Sequence, residues 1–170
     1  YSIYGKGLGS LNLKKKVRLN FNNSGTLSRL LIGILSTTPG IKAHVSGDHS
    51  LNKRSMKNLI SLMKKFGANF LPKNKSNFPL KLISSEIPIG IKYVAGVSAQ
   101  LKSAVMLAGL NSYGRTSIIE QEKSRDHTEN LLLNNKSAIK IYKQSNKIIT
   151  IFGKKKLNPF KINVPNDPSS

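Results

Sequence analysis

Asn23-Ser24-Gly25-Thr26-Leu27-Ser28-Arg29-Leu30-Leu31-Ile32-Gly33-Ile34 decides the fold, because a stretch of the same kind, Ser98-Ala99-Gln100-Leu101-Lys102-Ser103-Ala104-Val105, follows it with Ser24 and Ser98 standing 74 positions apart. In the first stretch, small polar residues precede Leu27, Leu30, Leu31 and Ile34, whose spacing lays one apolar stripe along a helix. In the second, Ser98-Ala99-Gln100 precedes an apolar helix through Leu101, Ala104, Val105, Leu107 and Ala108. Residues 16–21 (Lys-Val-Arg-Leu-Asn-Phe) alternate polar and apolar and read as a strand. Thr37-Thr38-Pro39-Gly40 ends the first helix, and residues 41–46 read as the next strand. Asp48, Ser50 and Asn52 lead into a second amphipathic helix through Met56, Leu59, Ile60, Met63 and Phe66, which Gly67 stops. Short strands follow around residues 69–71 and 80–83. Beyond the second stretch, residues 115–120 read as a strand, Asp126-His127-Thr128 opens a helix, and residues 138–142 and 147–152 read as paired strands. The order is the same in both copies, which predicts an internally duplicated α/β chain of two βαβαββ units.

Composition narrows the class. The chain has 170 residues, 38% of them hydrophobic, enough for a core. It has no cysteine, so disulfides, Cys-ligated zinc and a thiol nucleophile are excluded. No apolar run approaches the ~18 residues of a membrane helix. Lys and Arg number 28 against 7 acidic residues, a formal charge of +21. That charge raises a nucleic-acid reading. The lysines are scattered, however, with runs only at Lys14-Lys15-Lys16 and Lys154-Lys155-Lys156, and no aromatics interleave with them to stack bases. Small anionic substrates suit the balance equally well. The start at Tyr1, within a strand-like Tyr1-Ser2-Ile3-Tyr4, and the connection-like end Pro165-Asn166-Asp167-Pro168-Ser169-Ser170 lead us to expect a piece of a longer protein.

Three apparent motifs carry no chemistry. Gly5-Lys6-Gly7-Leu8-Gly9 has the wrong spacing for a dinucleotide fingerprint and reads as a turn. Ser124-Arg125-Asp126-His127 holds the residue types of a hydrolase triad, but sequence neighbours cannot adopt its geometry. His44, His49 and His127 lack metal-ligand spacing, so no metal is expected. The helix starts are more informative. Both place small polar residues where free amides and the positive dipole end converge, which suits phosphate or carboxylate. Gly25 would let an anion approach the backbone, and Arg54 and Arg125 recur near the second helix start of each copy.

These residues resemble the 5-enolpyruvylshikimate-3-phosphate synthase family. The resemblance rests on Asn23-Ser24-Gly25-Thr26 with Arg29-Leu30-Leu31, on Gly47-Asp48-His49-Ser50-Leu51 with Arg54 and Met56, and on Ser98-Ala99-Gln100-Leu101-Lys102-Ser103-Ala104. Leu107-Ala108-Gly109-Leu110 and Ser124-Arg125-Asp126-His127-Thr128-Glu129 complete it, in family order over essentially the whole chain. The last of these, with alanine in the middle of Ser98-Ala99-Gln100, is similar to a bacterial class of the family. The resemblance implies the enolpyruvyl transferase inside-out barrel, with three βαβαββ units per domain. Two of the three would be present here, over approximately residues 10–95 and 96–164, with residues 165–170 beginning the connection to the remainder.

The resemblance also implies an activity. The family transfers the carboxyvinyl group of phosphoenolpyruvate to the 5-hydroxyl of shikimate 3-phosphate and releases phosphate, in aromatic amino acid biosynthesis. It implies no metal or organic cofactor, a monomer, a cytoplasmic setting, and neither nucleic-acid nor membrane partners. Residue by residue, Ser98, Ala99, Gln100, Ser124 and Arg125 match positions that hold shikimate 3-phosphate. Asn23, Gly25, Thr26, Arg54 and again Gln100 match the phosphoenolpyruvate side. Gly25 also matches the position at which alanine blocks glyphosate, so the whole enzyme is expected to be sensitive there. The family's acid–base groups lie elsewhere, and this chain alone is not expected to turn over. Departures are Asn22 for a glycine, Ser55 for a proline, Gly96-Val97 before Ser98, Ser137 where glycine often ends the helix, and Asn166 for a glycine. Rival readings are the related carboxyvinyltransferase acting on UDP-N-acetylglucosamine, whose usual cysteine is missing, and a basic nucleic-acid-binding module.

Overall fold

The computed structural model describes residues 2–11, 17–143 and 145–163. The first half runs β1 (Val17–Asn20), α1 (Gly25–Ser36), β2 (Lys42–Ser46), α2 (His49–Lys53), α3 (Lys57–Lys65), β3 (Asn69–Leu71) and β4 (Leu80–Ile83). Its four strands lie in the order β1-β2-β4-β3, with β1 parallel to β2 and β4 antiparallel to both β2 and β3. The second half runs β5 (Lys92–Ala95), α4 (Ala99–Asn111), β6 (Arg115–Glu120), α5 (His127–Leu132), a 3-10 turn (Leu133–Asn135), β7 (Ile139–Lys143) and β8 (Lys147–Phe152). Its sheet repeats the arrangement as β5-β6-β8-β7, again with one parallel and two antiparallel pairings. The duplication read from the sequence is therefore a duplication of topology.

Three expectations need correction. The boundary near residue 95 leaves β5 in the first unit, yet β5 pairs in parallel with β6 from Lys92↔Ser117 to Ala95↔Glu120. The division falls before β5. Ser2, Ile3 and Tyr4 form no strand; Ile3 and Tyr4 are 95% and 92% exposed, and a short apolar alternation with no neighbour to bond cannot build a ladder. Tyr1, the Lys14-Lys15-Lys16 run and residues 164–170 lie outside the described residues. Finally, the residues expected only to lead into the helix through Met56 form a short helix of their own, α2, before α3. Arg54 turns extended (φ −73°, ψ 135°) at the end of α2, and the Met56 amide donates to Ser76 O at 2.7 Å. The Ser55 hydroxyl accepts from the Lys57 amide at 3.3 Å, at the position where the resemblance leads us to expect a proline.

The two halves meet through α1 and α4, which pack closely on each other, while α4 also covers β6 and β8. Gly33 makes the approach possible: a Cβ there would stand 2.6 Å from Ala104 O. Gln100 at the start of α4 bonds Thr26 at the start of α1, and Asn111 at the end of α4 donates to Thr37 O beyond the end of α1, at 2.6 Å. The helices are thus parallel, with both N-termini at one end. Around them, Met63, Phe66, Phe70, Phe78 and Leu82 fill the first half's core, and Ile118, Ile149 and Ile151 the second's. Among the described residues, no helix is long and apolar enough to cross a membrane.

Candidate functional site

The shared end of α1 and α4 gathers most of the residues that the sequence singles out. Ser24 and Ser98 are the N-caps, their hydroxyls accepting from the Leu27 and Leu101 amides at 3.2 and 3.4 Å. The first-turn amides that follow, at Gly25, Thr26, Ala99 and Gln100, have no carbonyl of their own helix to bond. Two parallel helices of 12 and 13 residues therefore bring their positive ends side by side. Gln100 locks them together: its Nε2 donates to Thr26 Oγ1 at 2.7 Å, and its Oε1 accepts from Arg29 Nη1 at 2.9 Å.

Guanidinium groups close on the same place. A Cβ at Gly25 would lie 2.8 Å from Arg29 Nη1 and 3.2 Å from Arg54 Nη1, so the missing side chain is the space the two arginines occupy. Arg29 Nη1 also donates to Gly25 O at 3.1 Å. Burial, and then the like charge of Arg54, push the Arg29 guanidinium below the ordinary arginine range. Because arginine does not give up its proton, an anion between the two is the relief available. Asn23 holds Arg54 in place, accepting from its Nη2 at 3.5 Å while donating from Nδ2 to Asp48 Oδ2 at 2.7 Å. Asp48 caps α2, and the Leu51 amide followed by the Asn23 amide holds its carboxyl below the usual carboxylate range.

The loop before Asn23 turns at Asn22, where the resemblance leads us to expect a glycine. Asn22 sits at φ +48°, in the left-handed region that asparagine enters more readily than other side chains. Its amide donates to Asn20 Oδ1 at 2.9 Å and its carbonyl accepts from the Asp48 amide at 2.8 Å.

Beside Gln100 lies a cleft of about 270 Å³, lined by Thr26, Ala99, Gln100, Arg125 and His127 among others. A second hollow of similar size opens on the other side of Gln100, between Arg29, Ser55, Asn58 and Ser98. Arg125 thus lines the same cleft as Ala99 and Gln100. Ser124 does not line the cleft; its hydroxyl turns inward and donates to Glu120 Oε1 at 2.9 Å. Among the described residues, no group of three or more His, Asp or Glu side chains stands close enough to hold a metal ion. The site is cationic and amide-rich, suited to two small anions.

A sequence model of the EPSP synthase (3-phosphoshikimate 1-carboxyvinyltransferase) family matches residues 2–170. The chain belongs to the EPSP synthase family. It is 38% identical over 172 residues to the 3-phosphoshikimate 1-carboxyvinyltransferase of Ruegeria sp. strain TM1040, and 40% identical over 172 residues to that of Jannaschia sp. strain CCS1. Both alignments take in all of this chain but 38% of the relative, so the chain spans well under half the length of these curated relatives. Its fold matches the EPSP synthase structure from Acinetobacter baumannii with a TM-score of 0.72 at 36% identity, covering 83% of this chain and 31% of that one.

Two features of this family member escaped the sequence reading. Arg29 was legible as a family match, and its place four residues after Gly25 puts both on one helix face. Its bond to Gln100, 71 positions away, was not. Nor did any pattern mark the buried cluster of Lys102, Glu120, Glu129 and Lys147.

Proposed function

We propose that this chain supplies one wall of the substrate site of a 3-phosphoshikimate 1-carboxyvinyltransferase of the bacterial class with alanine in the Ser98-Ala99-Gln100 motif, working as a cytoplasmic monomer without a cofactor. The convergence of two helix N-termini with Arg29 and Arg125 on Gln100, and of Arg54 on the neighbouring Gly25, carries the reading. Phosphoenolpyruvate, with a carboxylate and a phosphate, suits the Gly25 end, where Arg29 and Arg54 offer two guanidinium forks and Asn23 steadies Arg54. Shikimate 3-phosphate suits the cleft, with Ala99 and Gln100 at the α4 terminus and Arg125 among its lining, while Ser98 lines the neighbouring hollow and caps the helix. Gln100 lies between the two and sets their separation, while Thr26 fixes its rotamer through the 2.7 Å bond.

In the transfer, the 5-hydroxyl gives up its proton to a base as its oxygen bonds to C2 of phosphoenolpyruvate, the C2–C3 double bond opens and C3 takes a proton from an acid, neither group being assigned to this chain. Loss of that C3 proton with phosphate then restores the double bond. The residues of this chain hold and orient both substrates and stabilise the negative charge of the departing phosphate, contributions of proximity and electrostatics. No proton transfer is assigned to them.

Thermal unfolding with and without shikimate 3-phosphate tests the reading, with equal inorganic phosphate as control. A ligand that binds only the folded chain raises its melting temperature, and a hundredfold excess over Kd adds about 2.7 kcal/mol. The expected result is a rise specific to shikimate 3-phosphate that Arg125→Ala abolishes. An equal rise with inorganic phosphate, indifferent to Arg125, would overturn it.

A further inference from the structure

Two lysines and two glutamates are packed together beside the cleft. Lys102 Nζ lies 2.5 Å from Glu120 Oε1 and 2.7 Å from Glu129 Oε1, and Lys147 Nζ lies 3.1 Å from Glu120 Oε2 and 3.2 Å from Glu129 Oε1. The first three side chains are enclosed, and Lys147 is mostly so. The formal charges cancel. Each group comes from a different element: Lys102 from α4, Glu129 from α5, and Glu120 and Lys147 from facing positions at the ends of β6 and β8. The cluster also adjoins the site in sequence. Lys102 follows Gln100 by two residues and its amide bonds Ser98 O at 3.1 Å. Ser103 and Thr128, both lining the cleft, share a 2.7 Å hydroxyl bond.

Stability alone is a poor reason for such a cluster, since apolar groups of equal volume often fill the same space at no loss. What the cluster supplies is a fixed acceptor. Glu120 Oε1 takes, besides Lys102, the Ser124 amide at 3.1 Å and the Ser124 hydroxyl at 2.9 Å. A serine hydroxyl has one proton to give, and here Glu120 receives it. The next residue, Arg125, lines the cleft.

We propose that Glu120, clamped by Lys102 and Lys147, is a positioning residue that anchors Ser124 and thereby presents the Arg125 guanidinium to the ligand. Ser124 is then the tether, and not a donor to the substrate. The name of the ligand rests on the function proposed above; the tether does not.

Two measurements on the 170-residue chain test it. The first is amide hydrogen exchange of the unsubstituted chain. The Ser124 amide is expected to exchange at least about tenfold more slowly than the amides of Glu122 and Lys123, whose side chains are exposed. Exchange as fast as theirs overturns the tether, whether or not any ligand binds. The second is a cycle of shikimate 3-phosphate affinities for the unsubstituted chain, Ser124→Ala, Arg125→Ala and the double variant. Ser124→Ala leaves the buried charges balanced, so the variant keeps its fold. It is expected to weaken binding severalfold when Arg125 is present and to change nothing when Arg125 is absent. Equal losses in both backgrounds would make Ser124 a direct ligand contact and overturn the proposal. If the unsubstituted chain binds no shikimate 3-phosphate while the Ser124 amide stays protected, the substrate reading falls and the tether stands.

Discussion

Gly25 shows how one missing side chain organises a site. Its backbone angles are ordinary helical ones, so alanine is tolerated conformationally, and exchanging glycine for alanine usually stabilises such a position. The added Cβ instead meets Arg29 Nη1 at 2.8 Å and Arg54 Nη1 at 3.2 Å, the free ends of flexible side chains that move aside. Gly25→Ala is therefore expected to hold or slightly raise the melting temperature. It should weaken phosphoenolpyruvate about tenfold or more, because a displaced guanidinium fork loses its paired bonds, each tenfold step being ~1.4 kcal/mol. Shikimate 3-phosphate affinity, which the proposal assigns to the cleft on the Arg125 side, should stay unchanged. Parallel titrations of the two ligands check this, and an equal loss for both would remove Gly25 from the phosphoenolpyruvate side. Gly25, Arg54, Gln100 and Arg125 were legible because each stands in a contiguous motif. The Arg29–Gln100 and Ser124–Glu120 bonds were not. A side-chain rotamer set by a partner on another element leaves no local pattern, and Ser124 reads in sequence as another substrate hydroxyl.

At the level of elements, the site depends on how closely α1 and α4 approach. A Cβ on Gly33 would meet Ala104 O at 2.6 Å, Ala104 backbone rather than a side-chain tip, so the helices have to separate to admit it. Gly33→Ala is expected to cost ~1–3 kcal/mol by overpacking, outweighing the helix propensity that alanine gains. Denaturant unfolding measures the loss. Because Gln100 spans the pair, the same substitution should lengthen its bond to Thr26 and reduce the affinity of both substrates, unlike Gly25→Ala. Undiminished stability would show that the helices have slack at that crossing. Helix identity was readable here but helix partnership was not. The α1 stripe read from Leu27, Leu30, Leu31 and Ile34 is not the face the fold encloses, since Leu27 is 51% exposed and Ser28, Ile32, Leu35 and Ser36 are the buried side chains, whereas α4 is enclosed on nearly every side and carries little stripe to read. The break between α2 and α3 was hidden for a different reason. Leu51, Met56, Leu59 and Met63 keep an apolar face through it, and the loop between the two helices bonds at Ser76, twenty residues downstream.

The whole molecule carries +21 on 170 residues, and among the described residues its ion pairs are those of the buried cluster. Acid should therefore act on it in two separable ways. Protonating the acidic side chains outside the cluster adds to a long-range repulsion that salt screens. Glu120 responds differently. Burial would raise its carboxyl, but hydrogen bonds from Lys102, Lys147 and Ser124 outweigh that and hold it at about 2, with Glu129 the remaining charge facing the two lysines. The unfolded chain has an ordinary glutamate there, near pKa 4.3. Between those values the unfolded chain binds the extra proton, so the contribution of Glu120 is complete above pH ~4.3 and is lost as pH falls towards 2. Melting temperatures from pH 6 to 2 should fall for the unsubstituted chain, and added chloride should recover only part of the fall. In Glu120→Gln the chain should start lower at pH 6 and decline less steeply, the two curves converging near pH 2. The difference between them should not respond to chloride, because the enclosed cluster is shielded from solvent ions. Parallel curves would mean that the carboxylate of Glu120 is not the group whose protonation weakens the fold, and full recovery by salt would assign the acid sensitivity to surface repulsion alone.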